Sequence, residues 1–210
     1  MFLSRRKFLN YINCTGLTAI STPLFGSIQS SDNHHLLNYF KFSVGEIKIT
    51  VVSDGGFQLP ISSIDINSTE ENLKNHLKHY HMQEDHIYMN TNLAVIEVKD
   101  KKLLIDVGSG SRFIGNTGKL FDNLSKANID PESITNVFLT HAHPDHILGI
   151  RDDFDETIFP DAEFMISEKE YGWWTKKNRV NEVDETFMQM VLWAQNSLNA
   201  IPEILSLIHI

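Results

Sequence analysis

The 210-residue chain lacks several features that would define a partner or a compartment. It contains one cysteine, Cys14, so no disulfide can form within the chain. Its 18 Lys and Arg are outnumbered by 27 Asp and Glu, which gives a net charge of −9, and no basic patch stands out in the body of the chain. We therefore expect no nucleic-acid partner. No apolar run reaches the roughly 20 residues of a spanning helix, so we expect no stable membrane span in the mature form.

What is present is typical of a folded domain that handles small molecules. Hydrophobic residues make up 41% of the chain and charged residues 21%, the balance of a soluble globular protein. The length is sufficient for one domain with its own core. An acidic surface repels polyanions, which favours a small or neutral substrate.

The first residues resemble a bacterial twin-arginine export signal. The stretch SRRKFL (4–9) pairs two arginines ahead of a weakly apolar stretch, 11–25, which Pro23 interrupts. We expect residues 1–33 to be a twin-arginine-type signal peptide and linker, with the export machinery as a partner and a periplasmic or secreted location. The alternative is a generic basic N-terminus, and no motif specifies the cleavage site.

Hydrophobic periodicity predicts a mixed α/β fold. We expect a hairpin over 40–52 with its turn at Gly45-Glu46, a turn at 53–56, further strands at 91–99, 102–106, 136–140 and 162–166, and helices at 69–80, 119–127, 167–174 and 184–196. Ser68 with Glu71, and Ser167 with Glu170, have the spacing of helix caps. Short β-turn-β units in the first half indicate a sheet that is not purely parallel.

The stretch THAHPDH (140–146) places four metal-ligand side chains within six residues. If the chain stays extended after Thr140, His141 and His143 point to the same side. Pro144 then turns the chain, and Asp145 and His146 point elsewhere. An imidazole pair suits zinc or a similar metal, and the carboxylate–imidazole pair suits a second metal nearby. The alternative is a solvated polar loop.

The run HAHPDH (141–146) matches the HxHxDH motif of the metallo-β-lactamase fold. Residues 103–108 (LLIDVG) resemble the strand and glycine loop that precede this motif in the family. Ser53-Asp54-Gly55, the strand at Asn92-Leu93, and residues 118–120 and 129–131 resemble the branch of methyl-parathion-hydrolase-like and lactonase-like enzymes. The resemblance covers about 40–195 of the chain.

The resemblance implies an αββα sandwich of which this chain is the N-terminal half, a mixed sheet with flanking helices. It implies that His141 and His143 bind one metal ion, that Asp145 and His146 bind a second, and that Asp106 braces the ligand loop by hydrogen bonds. Asp145 is also the candidate catalytic residue. The ions would be two divalent metals, zinc first, with manganese or iron also open.

The activity implied by the resemblance is hydrolysis of an ester, lactone or phosphotriester by a metal-bound hydroxide. A thiolester hydrolase or β-lactamase on the same fold is the alternative enzyme. A non-catalytic, truncated product is the alternative of another class.

Other polar and aromatic groups are weaker candidates. A loose group of four histidines could form a lid or bind metal: His76, His79, His81 and His86. Trp173 and Trp174 could line a pocket or pack in the core. Three aspartates after Gly149 could supply a ligand: Asp152, Asp153 and Asp155.

The ligand set is incomplete after His146. The family adds further histidines and a bridging aspartate. The one histidine after His146 in this sequence is His209, within LSLIHI (205–210). A DNA sequence that would encode this hexapeptide, CTG TCT CTT ATA CAC ATC, resembles a transposon-end sequencing adapter. We therefore expect 205–210 to be a scar, 34–204 to be an incomplete metallo-β-lactamase domain without its C-terminal half, and the chain as given to be inactive. The alternative is a genuine apolar terminus.

Overall fold

The computed structural model describes residues 37–63, 67–201 and 205–209. The expected export signal at 1–33 lies outside these residues. Within the described ranges, no helix has the length and apolar character needed to cross a membrane.

In the part of the chain that the structure describes, seven strands form one mixed sheet in which spatial order follows chain order. The first four strands pair antiparallel, and β4 to β7 pair parallel. The strands are β1 (Tyr39–Val44), β2 (Ile47–Pro60), β3 (His86–Val98), β4 (Lys101–Ile105), β5 (Asn136–Leu139), β6 (Glu163–Ser167) and β7 (Leu205–Ile208). The predicted mixed sheet with flanking helices is confirmed.

The described ranges contain five α-helices: α1 (Glu70–His79), α2 (Leu120–Lys126), α3 (Pro144–Ile147), α4 (Glu168–Thr175) and α5 (Glu185–Leu198). The N-cap of helix α1 lies one residue later than predicted, because Thr69 and not Ser68 accepts a hydrogen bond from the backbone N–H of Asn72, at 3.2 Å. Asp184 caps α5 in the same way through the N–H of Phe187. Both caps satisfy backbone donors that the first helical turn leaves free.

The core lies on one face of the sheet. A cross-strand row of Val95, Leu104, Val137 and Phe164 is completely buried there. Leu124 of α2 and Val191 of α5 belong to the same cluster. Because side chains alternate along a strand, this row defines which face the helices cover.

The other face of the sheet is also apolar. One of its rows runs Phe42, Ile49, Ile96, Leu103 across β1 to β4. Phe42 is 39% exposed in the structure, and Val44 in the next row is 59% exposed. Strands with apolar side chains on both faces are typical of sheets covered on both sides.

The predicted turn at 53–56 is wrong. Strand β2 continues through this stretch with a bulge between Ser53 and Gly55. The bulge turns the Asp54 side chain inward, where it is fully buried. Gly55 adopts a φ of +99°, and a Cβ there would lie 1.9 Å from the carbonyl oxygen of Asn116. Glycine thus permits the bulge, whereas the Asp-Gly-Gly sequence alone is equally typical of a turn.

Strand β7 is formed by residues 205–208 and pairs with β6 in parallel. Leu205 lies opposite Phe164 and packs against the edge of the core. The pairing gives the position of this segment in the sheet. Its origin as an adapter scar stays a prediction.

Candidate metal centre

The candidate site lies at one edge of the sheet because three parallel strands end there. Asp106 follows β4, the segment 140–146 follows β5, and α4 begins directly after β6. Side chains that follow the carboxyl ends of neighbouring parallel strands share one edge, where α/β proteins commonly place their ligand sites.

The structure brings the four predicted ligands together. The ring centroids of His141 and His143 are 4.7 Å apart, and those of His141 and His146 are 4.0 Å apart. Asp145 Oδ2 lies 3.3 Å from His146 Nε2. Pro144 begins α3 and His143 is the residue before it, so the chain turns at the predicted position. That turn folds His146 back onto His141 instead of projecting it away.

Asp106 contacts the loop through three hydrogen bonds. Its Oδ1 accepts from the backbone N–H of Thr140 at 2.7 Å. Its Oδ2 accepts from the Thr140 hydroxyl at 2.7 Å and lies 2.8 Å from Nδ1 of His146. A carboxylate can only accept here, so His146 carries a proton on Nδ1.

The same network determines the tautomer of His141. The Thr140 hydroxyl donates its only hydrogen to Asp106, so it must accept from Nδ1 of His141, 3.0 Å away. The Nε2 atoms of His141 and His146 therefore remain as the nitrogens that can bind a metal. Outer carboxylates orient zinc-binding histidines in this way.

Charges within the cluster shift several pKa values in the metal-free chain. Burial and the neighbouring rings of His146 and His143 lower the pKa of His141. Burial would also lower the pKa of His146, but hydrogen bonds with Asp106 and Asp145 outweigh it and raise that pKa to about 9. Although burial opposes the change, the His146 ring lowers the pKa of Asp145. A metal ion at His146 would therefore displace a proton on binding.

The chemistry of this donor set fits divalent metal ions. Three imidazoles and one carboxylate are the ligand types that zinc and similar metals prefer. Among the described residues, however, no group of three or more His, Cys, Asp or Glu side chains is already arranged around one point. His141 with His143 and Asp145 with His146 are thus best described as two pairs, each able to supply part of a coordination sphere.

Aromatic side chains form the wall beside His143. The rings of Trp174 and His143 are nearly perpendicular with centroids 5.5 Å apart, and the ring centroid of Phe187 lies 6.5 Å from that of His143. Trp174 is 3% exposed, so it serves both as core and as wall. Trp173 is half-exposed and packs under the guanidinium of Arg179 instead.

Sequence reasoning missed the roles of Asp54 and Glu170. Asp54 accepts from the backbone N–H of Ser109 at 2.8 Å and of Leu120 at 2.9 Å. It thereby ties β2 to the 107–110 loop and to the start of α2. The Asp-Gly dipeptide resembled a turn, and nothing local to it indicates these distant partners.

Glu170 was predicted to cap α4 together with Ser167. Ser167 makes no capping bond with its side chain. Glu170 instead accepts from the backbone N–H of Ala142 within the cluster loop. A capping-box spacing and a long-range contact are indistinguishable in the sequence.

Among the weaker candidates Trp174 contacts the cluster through His143, whereas the histidine and aspartate candidates make no hydrogen bond, ion pair or ring contact with it in the residues that the structure describes. His76 and His79 contact the ring of Tyr80 on α1, and His86 pairs with Asp85. The three aspartates contact other loops: Asp153 accepts from Ser111, and Asp152 and Asp155 accept from Arg112. His209 pairs with Glu168. A lid role for α1 stays a prediction.

A cavity of about 480 Å³ borders the 107–110 loop, with Val107 and Gly110 in its lining. Asp54, Leu120 and Phe159 are among its lining residues, and none of the four cluster residues is. We therefore give it no part in the chemistry of the cluster.

Comparison with known proteins places this geometry in a family. Residues 88–181 match the model of the metallo-beta-lactamase superfamily. The structure of AidC, a dizinc quorum-quenching lactonase in complex with a product, is 30% identical over 81% of this chain, with a TM-score of 0.75. The hydrolase AbOPH of the beta lactamase superfamily is 22% identical over 84%, with a TM-score of 0.76.

The chain spans 61% of the length of AidC and 62% of that of AbOPH. No curated protein matches the chain. The family match includes the cluster loop, Asp106 and Glu170, and the fold agreement extends well beyond it. Residues 88–181 thus match a metallo-beta-lactamase superfamily domain, and the motif residues 141–146 within them lie at the carboxyl edge of the parallel strands.

Proposed function

We propose that this protein is a metal-dependent hydrolase of an ester, lactone or phosphotriester, with a lactone as the first substrate to test. One observation carries the proposal: three histidines and Asp145 converge at the carboxyl edge of β4 to β6. Asp106 engages Nδ1 of His146 directly and Nδ1 of His141 through Thr140, so that Nε2 of each ring is left to bind a metal. This is the support that a metal-binding loop requires, and a solvated loop would not need it.

Each residue of the cluster has a defined task under this proposal. His141 and His143 would hold one divalent ion, and Asp145 with His146 would hold the other. Such ions, when bound, activate water and polarise the scissile carbonyl or phosphoryl group. Asp106 holds the Nδ1 proton of His146 directly and that of His141 through Thr140. Asp145, whose Oδ2 lies 3.3 Å from Nε2 of His146, is the candidate catalytic carboxylate.

A lactone is preferred among the substrates because of the similarity to AidC. AidC is described as a dizinc lactonase with a homoserine product bound, and its identity to this chain is 30%. The negative net charge of the chain also favours a neutral substrate over a polyanion. A thiolester or a β-lactam is a neutral or small acyl compound too, so both belong in the same assay.

The test compares two versions of the protein, the 210-residue chain and a version extended by the coding sequence that follows codon 204 in the source genome. Each is supplied with zinc or manganese and assayed with lactone, aryl ester, phosphotriester, thiolester and β-lactam substrates. We expect the extended version to hydrolyse the lactone, to lose activity with a chelator, and to regain it with zinc. We expect no turnover by the 210-residue chain, because the two pairs in the part of the chain that the structure describes give each ion two protein ligands.

His143→Ala is the diagnostic variant and His79→Ala its matched control, since His79 lies on α1 with Tyr80 as its ring contact. Turnover by the short chain that His143→Ala abolishes would contradict the expectation of inactivity. Absence of activity in both versions would count against the hydrolase assignment itself.

A further inference from the structure

Glu170 occupies a position from which one oxygen atom contacts two parts of the site. It lies in the first turn of α4, which starts where β6 ends beside β5. Its Oε1 accepts from the backbone N–H of Ala142 at 3.0 Å and from Nε1–H of Trp174 at 2.6 Å. Trp174 is four residues further along α4, so both side chains leave the helix on the same face.

The two contacts bear on the same pair of histidines. Ala142 separates His141 from His143, and it is completely buried. The indole of Trp174 packs edge-on to the ring of His143. The carboxylate therefore restrains the backbone between these two rings and also the aromatic wall on which His143 rests.

Removing this acceptor would leave a buried backbone donor without a partner. Buried N–H groups are almost always paired, because an unpaired one loses its hydrogen bonds to water without compensation. The described contacts of the Ala142 N–H are with Glu170. Without it, the loop would rotate to find another acceptor, and both flanking rings would rotate with it.

We infer that Glu170 is a positioning residue for the proposed metal site: through the Ala142 amide and Trp174 it holds His141 and His143 in the orientation that binds one ion. The inference rests on the proposed function, since it concerns ligand orientation. Length and acceptor capacity matter more than charge here, because both contacts use a single oxygen. Gln can place a carbonyl oxygen at the same point, whereas Asp is one methylene too short and Ala offers no acceptor.

The first experiment uses the metal-free protein. Hydrogen exchange of the Ala142 amide is measured in the wild type, Glu170→Gln, Glu170→Asp and Glu170→Ala, with Glu168→Ala as a matched control from the exposed face of α4. We expect protection in the wild type, the Gln variant and the control, and faster exchange in the Asp and Ala variants. Equal protection in all five proteins would overturn the inference whether or not the protein binds metal.

The second experiment measures zinc affinity by competition with a chelating dye, with the intrinsic tryptophan fluorescence as a parallel signal. We expect Glu170→Ala to weaken zinc binding about 10-fold, as loss of an outer partner of a ligand does, and Glu170→Gln to restore it. Failure of the wild type to bind zinc would refute the proposed metal site but leave the exchange result standing. Wild-type affinity in Glu170→Ala, with Ala142 deprotected, would overturn the positioning role.

Discussion

Asp106→Asn is expected to weaken zinc binding by about 10- to 100-fold while leaving the fold intact. Asp106 accepts three hydrogen bonds, and an amide has only one oxygen with which to accept them. If the amide nitrogen faces His146, that ring must move its proton from Nδ1 to Nε2, the atom that a metal needs. If it faces Thr140, a backbone N–H loses its acceptor and the loop shifts.

The backbone does not confound this test. Asp106 has a φ of +59°, a left-handed conformation that Asn tolerates as well as Asp does. The measurement is a chelator competition for zinc, accompanied by thermal unfolding of the metal-free protein. Asp161→Asn removes the same charge at an exposed position and serves as the control. Zinc affinity within twofold of the control would contradict the role of Asp106 in directing the histidines.

Asp54→Ala is expected to lower the free energy of unfolding by about 3 kcal/mol, because it strips two buried backbone donors of their acceptor. These donors, Ser109 and Leu120, connect the 107–110 loop and α2 to β2. Asp54 is fully buried, so the two backbone donors depend on its carboxylate in the folded protein. Gly108 lies against the carboxylate, where a Cβ would meet it at 2.8 Å, so the loop is built around this side chain.

Urea denaturation with a constant slope is the measurement for Asp54. Asp54→Asn keeps the volume but presents an NH₂ to one of the two donors. We therefore expect it to lower the free energy of unfolding by less than Asp54→Ala does. Asp122→Ala, on the exposed side of α2, should change stability by less than about 0.5 kcal/mol. A change for Asp54→Ala no larger than that of the control would contradict its role as a connector.

The parts of the fold that depend on local pattern could be predicted from the sequence. The strand 136–140 and its histidine loop follow from a buried apolar run and the i, i+2 spacing, and the structure has β5 at Asn136–Leu139. Helix α5 was predicted over 184–196 and begins with the Asp184 cap. These elements are specified by residues close in the chain.

The parts that depend on distant partners could not be predicted. Asp54 and Leu120 are 66 residues apart, and Ala142 and Glu170 are 28 apart, yet each pair shares a hydrogen bond. Asp-Gly-Gly is equally compatible with a turn and with a bulge, and the choice depends on acceptors supplied elsewhere in the fold. The convergence of His146 on His141 likewise depends on Asp106, which follows a different strand.

The most direct test of the central claim is the position of zinc in crystals of the protein, located by anomalous scattering at the zinc edge. The account predicts density within about 2.0–2.2 Å of Nε2 of His141 or His146, of a ring nitrogen of His143, or of a carboxylate oxygen of Asp145. The Asp106–His146 contact should be retained in the same crystals. Zinc bound only at the α1 histidines or at the Asp152–Asp155 loop, with the 141–146 cluster free of metal, would contradict the account.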